Sequence, residues 1–153
     1  MDLIFWRHAE TTEAVEGQSD IDRQLSARGE RQAQRMAQWL ERQLPESTKI
    51  LCCPSLRAEQ TVIPLGRKYK LRDELSPNAL VDDVLTLAQW PTNKHSVLLI
   101  THQPLISDTV KRLLHIQIPE LVIKKGSIWW LRSRVKDDQI QTSLVTVQTP
   151  EFM

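Results

Sequence analysis

The sequence has little cysteine, no dominant sign of charge and no long hydrophobic run. Its two cysteines, Cys52 and Cys53, are adjacent, so a disulfide between them would be strained and would close no loop. The 20 basic and 19 acidic residues nearly cancel, which leaves no overall field to attract nucleic acid or an anionic membrane. No apolar run approaches the roughly eighteen residues that a membrane span needs. We therefore expect neither a disulfide scaffold nor a nucleic-acid or membrane partner.

The length of 153 residues suits one domain. A chain of this size buries roughly two-thirds of its unfolded surface and needs no disulfide or structural metal. The sequence contains no repeat, low-complexity segment or linker, so we expect a single domain over residues 1–153. The opening MDLIFWRHAE lacks the basic flank and long apolar core of a secretory signal, which favours a cytoplasmic protein.

Short apolar runs alternate with helical patterns along most of the chain. Three runs are typical of buried strands: 3–6, 49–53 and 96–101. Apolar spacing predicts four helices: 27–44 behind an N-cap at Ser26, 56–63, 81–90 and 105–114. Residues 127–134 and 139–147 flank a turn-like KDDQ and predict an antiparallel hairpin. The pattern predicts an α/β three-layer sandwich, with a mostly parallel central sheet, helices on both faces and an antiparallel C-terminal edge hairpin.

The three predicted parallel strands are followed by side chains that suit an anion. Arg7 and His8 end the first strand, Arg57 follows the second, and His102 follows the third. In open parallel sheets the carboxyl ends of the strands line the ligand crevice, so these side chains can converge there. Because the planar guanidinium group matches a phosphoryl group, the sequence predicts a phosphate-binding cavity.

The polar loop before the first helix offers one more guanidinium group. Arg23 either joins the phosphate site or only pairs with Asp20 and Asp22. The remaining histidines, His95 and His115, are assigned no function. The four histidines show no metal-ligand spacing and have no suitably placed cysteine partner, so we predict no zinc site and no cofactor.

Two histidines among arginines suggest covalent catalysis. A neutral imidazole nitrogen is a competent nucleophile toward phosphorus, and surrounding cations stabilise the charge on the transferring group. We expect the positive surroundings to depress the pKa of both histidines below about 6.5, which keeps the nucleophile neutral. Water would then release the phosphate in a second step without a metal.

These motifs resemble those of a known family. WRHAE is similar to the Arg-His-Gly signature of the histidine phosphatase superfamily (phosphoglycerate mutase-like), CCPSLRAEQT to its Ser-Pro-x-x-Arg-Ala-x-Gln-Thr segment, and LLITHQP to its second-histidine strand. The order of the motifs, the intervening RQLSARGERQA and the short chain look most like the SixA-type phosphohistidine phosphatases. The resemblance covers residues 3–114 and implies a domain without a large cap insertion.

The resemblance implies a role for each site residue. By it, His8 is the phospho-accepting nucleophile, Arg7 and Arg57 clamp the phosphoryl group, and His102 steadies the transition state. Arg23 matches a further arginine that touches phosphate in this branch. One departure is visible, because Ala9 stands where the signature has glycine. Alanine is small enough that we still expect activity.

The choice of substrate depends on a general acid. An ester expels an alkoxide that needs a proton donor, whereas phosphohistidine expels an imidazole that solvent protonates readily. Glu74, in RDELSP, occupies the place of the family's donor carboxylate, with Asp82 and Asp83 nearby, but a solvated charge pair is the alternative. An uncapped site favours phosphohistidine on a partner protein, such as a histidine phosphotransfer domain or carrier in signal transduction. A small-molecule phosphomonoesterase and a non-catalytic phosphate-binding module remain alternatives.

Overall fold

Six strands form one mixed sheet in the computed structural model, which describes residues 1–152. The strands are β1 (Asp2–Arg7), β2 (Lys49–Cys52), β3 (Lys70–Leu71), β4 (Val97–Thr101), β5 (Ile128–Lys136) and β6 (Gln139–Gln148). Their order is β3-β2-β4-β1-β5-β6. The first four are parallel, whereas β5 and β6 add an antiparallel edge. The predicted fold class is confirmed.

Four helices flank the two faces of the sheet. They are α1 (Ala27–Gln43), α2 (Leu56–Val62), α3 (Val81–Ala88) and α4 (Leu105–Leu114). Helix α1 packs against α2, and α3 packs against α4. None of the helices in residues 1–152 combines the length and the apolar character that crossing a membrane requires.

The central strands form the core because both of their faces are covered. Every residue of β4 is buried, and so are residues 3–6 of β1. Helix α1 contributes an apolar stripe at helical spacing, which consists of Ala33, Met36, Ala37 and Leu40. The predicted cap is present, since the Ser26 hydroxyl accepts a hydrogen bond from the Gly29 amide at 3.0 Å.

The sheet register brings three strand ends to one edge. Trp6 of β1 and Cys52 of β2 both lie opposite Ile100 of β4. Beyond that point the His8 amide donates to the Thr101 carbonyl at 3.2 Å, and the Cys53 amide donates to the Ile100 carbonyl at 2.9 Å. The segments that follow β1, β2 and β4 therefore leave the sheet side by side.

The structure differs from the sequence prediction in a few elements. The edge strand β3 was not predicted, since two exposed residues carry no alternating pattern. Helix α3 ends at Ala88 rather than near residue 90, because Gln89 takes a left-handed conformation with φ of 55°. The loop between β1 and α1 contains a 3-10 turn over Asp20–Asp22, in a stretch predicted to be irregular.

Candidate active site

His8 lies immediately after β1 and is almost wholly buried, with 8% of its surface exposed. Its Nδ1 lies 2.9 Å from the Ala9 carbonyl oxygen. A carbonyl only accepts, so this bond places the proton on Nδ1 and leaves the lone pair on Nε2. Burial lowers the pKa of His8 to about 4, and the charges of Arg57, Arg7 and His102 act in the same direction. The ring is therefore neutral at pH 7 and has a free nucleophilic nitrogen.

Arg57 projects from the first turn of α2 and is buried to the same degree as His8. The helix begins there because the Ser55 hydroxyl accepts a hydrogen bond from the Ala58 amide at 3.4 Å. The guanidinium group donates from Nη1 to the Asp20 carbonyl oxygen at 2.7 Å and from Nη2 to Asp20 Oδ2 at 3.0 Å. The backbone carbonyl and the carboxylate of Asp20 thus share the fork that the sequence assigns to a phosphoryl group.

Thr61 joins the loop of His8 to the helix of Arg57. Its hydroxyl accepts from the Ala9 amide at 3.1 Å and donates to the Arg57 carbonyl at 2.7 Å, and the residue is fully buried. Sequence reasoning missed this role, although Thr61 lies one helical turn after Arg57, at the spacing where a threonine bonds back to the backbone. The Ala9 methyl group packs with Leu25 and Ala33 in a small apolar cluster, which accommodates the departure from glycine.

Arg7 and His102 complete the cluster around His8. The Arg7 Nη1 donates to the Ile123 carbonyl at 2.6 Å, and burial lowers the pKa of this guanidinium. Nδ1 of His102 lies 3.0 Å from the Gln103 carbonyl, which leaves Nε2 to face other groups. Within residues 1–152, His102 Nε2 and Arg7 Nε are buried and have no hydrogen-bond partner. Buried polar atoms without partners are costly, so they indicate a polar ligand here.

Arg23 is held within its own loop. Its Nη2 donates to the Thr11 hydroxyl and to the Thr12 carbonyl, both at 2.9 Å, and Nη1 lies 3.4 Å from Asp20 Oδ1. Asp20 therefore bridges Arg23 and Arg57. The sequence left two interpretations open for Arg23, and the structure shows the pairing with Asp20, while contact with phosphate stays a prediction.

The candidate acids are engaged in other contacts. Glu74 Oε2 accepts a hydrogen bond from Arg72 at 2.7 Å, and this bond lowers the pKa of the carboxyl group. Asp82 pairs with Arg112 at 2.7 Å. Asp83 accepts a hydrogen bond from the backbone amide of Leu80, the residue just before α3, at 3.2 Å. A carboxyl group of lowered pKa is ionised at pH 7, so Glu74 is a poor proton donor in this arrangement.

The arrangement brings one free imidazole nitrogen together with the buried guanidinium group of Arg57, the half-buried one of Arg7 and a second imidazole. Such a cluster has the charge and the donors to hold a tetrahedral oxyanion, and the free nitrogen of His8 is chemically able to attack its central atom. Residues 1–152 contain no group of three or more histidine, cysteine or acidic side chains arranged to hold a metal ion. A cavity of about 1090 Å³ lies over β2 and β3, and none of the predicted site residues lines it.

Comparison with known proteins identifies the family. The model of the histidine phosphatase superfamily (branch 1) matches residues 3–79. Phosphohistidine phosphatase SixA of Escherichia coli is 33% identical to this chain over 129 residues, which are 79% of each protein. A SixA homolog of Haemophilus influenzae is 27% identical over 128 residues, covering 74% of this chain and 77% of the relative.

Solved structures agree with the sequence relatives. The structure of the protein histidine phosphatase SixA complexed with tungstate superimposes with a TM-score of 0.81 at 27% identity, covering 99% of both chains. The fold, the sequence match and the order of the motifs lead to one conclusion. This chain belongs to the histidine phosphatase superfamily.

Proposed function

We propose that this chain is a phosphatase that removes the phosphoryl group from phosphohistidine on a partner protein, through a phosphorylated His8. The observation that carries the proposal is the state of His8. Its ring is neutral at pH 7, is oriented by the Ala9 carbonyl, and lies close enough to Arg57 and Arg7 for their charges to lower its pKa. A binding module has no need of a free nucleophilic nitrogen inside a ring of cations.

The relatives support phosphatase activity at the level of the superfamily. The named relatives are phosphohistidine phosphatases, and one neighbour binds tungstate, a tetrahedral oxyanion like phosphate. Our proposal extends this to the finer substrate class. We also propose a single domain without a large cap, located in the cytoplasm, whose partner is a histidine phosphotransfer domain or carrier.

The chemistry proceeds in two displacements at phosphorus. Nε2 of His8 attacks the phosphorus atom, the bond from phosphorus to the substrate imidazole breaks, and that imidazole takes a proton from solvent. Arg7, Arg57 and His102 stabilise the charge on the oxygens of the transferring group. Water then attacks the phosphorus atom of the phosphorylated His8. The bond from phosphorus to Nε2 breaks, inorganic phosphate leaves, and His8 returns to its free form. The arginines supply the positive charge, so no step uses a metal.

The position of Asp20 sets one requirement for substrate binding. Both terminal nitrogens of Arg57 donate to Asp20, so a phosphoryl group gains the full fork only when Asp20 moves away. Asp20 lies in an exposed 3-10 turn, and its side chain is 61% exposed. The Arg57 end of this ion pair is buried, but the carboxylate end is open to water, which screens its charge, so an incoming dianion can displace this carboxylate.

The test compares phosphohistidine with an ester. A synthetic phosphohistidine peptide and para-nitrophenyl phosphate are offered to the wild type, to Glu74→Gln and to Glu16→Gln, a control variant in the exposed part of the loop. We expect turnover of the peptide by all three proteins, since an imidazole leaving group needs no enzymic acid. If the wild type hydrolyses the ester faster than the peptide, and if E74Q loses more than tenfold of the ester activity, the protein is an ester phosphatase with Glu74 as its acid. Absence of turnover of both substrates would show a binding module.

A further inference from the structure

Three arginines form a stripe on the exposed side of α1. Arg28, Arg31 and Arg35 follow the spacing i, i+3, i+7, which places them on one face of the helix. They line a cleft of about 250 Å³ together with Gln32, Pro150 and Glu151. We call the three arginines the α1 basic face.

The α1 basic face begins at the rim of the active site. Gln32 lies on the same face of the helix and accepts a hydrogen bond from the Glu10 amide at 3.1 Å. Glu10 is two residues after His8 in the sequence. Gln32 also lies against Gly126, whose amide donates to the His8 carbonyl at 3.0 Å. At a rise of about 1.5 Å per residue, the stripe extends roughly 10 Å along the helix from Arg28 to Arg35.

Most of this positive charge lacks a compensating acid. Arg28 lies 3.9 Å from Glu10, but Arg31 and Arg35 have no acidic group within 4 Å among residues 1–152. Glu151, the acid that lines the cleft, accepts a hydrogen bond from Lys124 Nζ at 2.8 Å and so is already paired in a salt bridge. The chain as a whole carries a charge of only +1, so this side of the site concentrates positive charge locally.

We propose that the α1 basic face docks an acidic segment of the phosphoprotein substrate beside its phosphohistidine. The proposal rests on the proposed function and names the chemistry of the partner. A typical partner covers about 800 Å² of each protein, a patch with a radius of roughly 16 Å, so a protein placed over His8 extends past Glu10 onto the α1 basic face. Complementary charge at such a rim raises the rate of association and selects the partner. Arginine suits the role because its planar guanidinium group can donate two parallel hydrogen bonds to one carboxylate.

The experiment uses two synthetic phosphohistidine peptides of equal length. One has glutamates at the flanking positions and the other has serines at the same positions. We expect the wild type to show a kcat/KM about fivefold higher for the acidic peptide at low salt, since two exposed ion pairs give an effect of this order. The preference should fall toward one at high salt, because salt screens exposed charges.

The variant R31Q/R35Q isolates the surface. It should lose the preference for the acidic peptide and keep the wild-type kcat/KM for the neutral peptide, because neither arginine belongs to the catalytic cluster. Arg134→Gln is the matched control. Arg134 is exposed and lies two residues after Arg132 on β5. Arg132 lies opposite Asp2, at the end of β1 that is far from His8. R134Q should therefore keep the preference for the acidic peptide.

The outcomes separate this proposal from the proposed function. Equal hydrolysis of both peptides by the wild type, or an undiminished preference in R31Q/R35Q, overturns the docking surface and leaves the phosphohistidine phosphatase standing. Failure to hydrolyse either peptide overturns the proposed function and the docking surface with it. A preference that R31Q/R35Q loses and R134Q retains supports the docking surface.

Discussion

The buried neutral state of His8 makes the stability of the fold depend on pH. His8 has a pKa of about 4 in the folded protein, against an ordinary value of 6.5, chiefly because burial disfavours the charged ring. Above pH 6.5 the ring is neutral in both the folded and the unfolded chain. Below pH 6.5 the His8 ring becomes protonated in the unfolded chain but stays neutral in the folded protein. The free energy of unfolding therefore falls as the pH falls.

The size of this effect follows from the two pKa values. At pH 5 the linkage relation gives a loss of about 2 kcal/mol from His8, which grows to about 3 kcal/mol below pH 4. The variant His8→Asn removes the titrating ring and keeps a polar side chain of similar reach. Between pH 8 and pH 5 the wild type should therefore lose about 2 kcal/mol more unfolding free energy than H8N does.

Urea denaturation of both proteins at the two pH values measures this difference. Every other titrating group is common to the two proteins, so their contributions largely cancel in the comparison. Titration of the His8 ring by NMR provides an independent value, with H8N used to assign the signal. A difference below about 0.5 kcal/mol together with a ring pKa near 6.5 would refute the buried neutral nucleophile.

Three further substitutions test the surroundings of the site. Thr61→Val leaves a buried backbone amide without its acceptor and should cost about 1–3 kcal/mol of unfolding free energy, which Thr61→Ser largely restores; equal stability of the valine variant would contradict this. Gly29→Ala brings a methyl group into the Glu10 carbonyl oxygen, so denaturation should show a loss of about 1–3 kcal/mol, and an unchanged midpoint would argue against the contact. Asp20→Asn weakens the competitor on Arg57, so tungstate should inhibit about fivefold more tightly; weaker inhibition would show that the carboxylate positions the guanidinium instead.

Much of the fold was predictable because local signals agree with the tertiary structure. Residues 3–6 and 97–100 are apolar without interruption, and both stretches lie in strands that are buried in the sheet. Ser26 combines an N-cap side chain with an amphipathic pattern, and it caps α1 as predicted. The strand β3 was beyond prediction, because its two residues are ordered by pairing with β2 rather than by their own pattern.

The candidate site was predictable as a set of residues rather than as a geometry. Arg57 and His102 follow strands, and the general rule for parallel sheets brings strand ends together. The partners of these residues depend on distant loops. Asp20 reaches Arg57 across 37 positions of the sequence, and the Ile123 carbonyl reaches Arg7 across 116, so no local pattern could indicate either contact.

The cause of the low pKa of His8 also differed in emphasis from the sequence prediction. The sequence pointed to neighbouring positive charge, whereas burial is the larger cause and the arginines add to it. Burial depends on the loop that follows β1 and on the segment before β5, which folds back so that the Gly126 amide bonds to His8. Such coverage is a property of the assembled fold.

Trapping the covalent intermediate tests the central claim most directly. The protein is incubated with a phosphohistidine peptide carrying labelled phosphate, quenched at alkaline pH, and digested to locate the label. We expect one acid-labile, alkali-stable phosphoryl group on His8, present in the wild type and absent from His8→Ala. Turnover with no label on His8, or label on any other residue in both proteins, would contradict nucleophilic catalysis by His8.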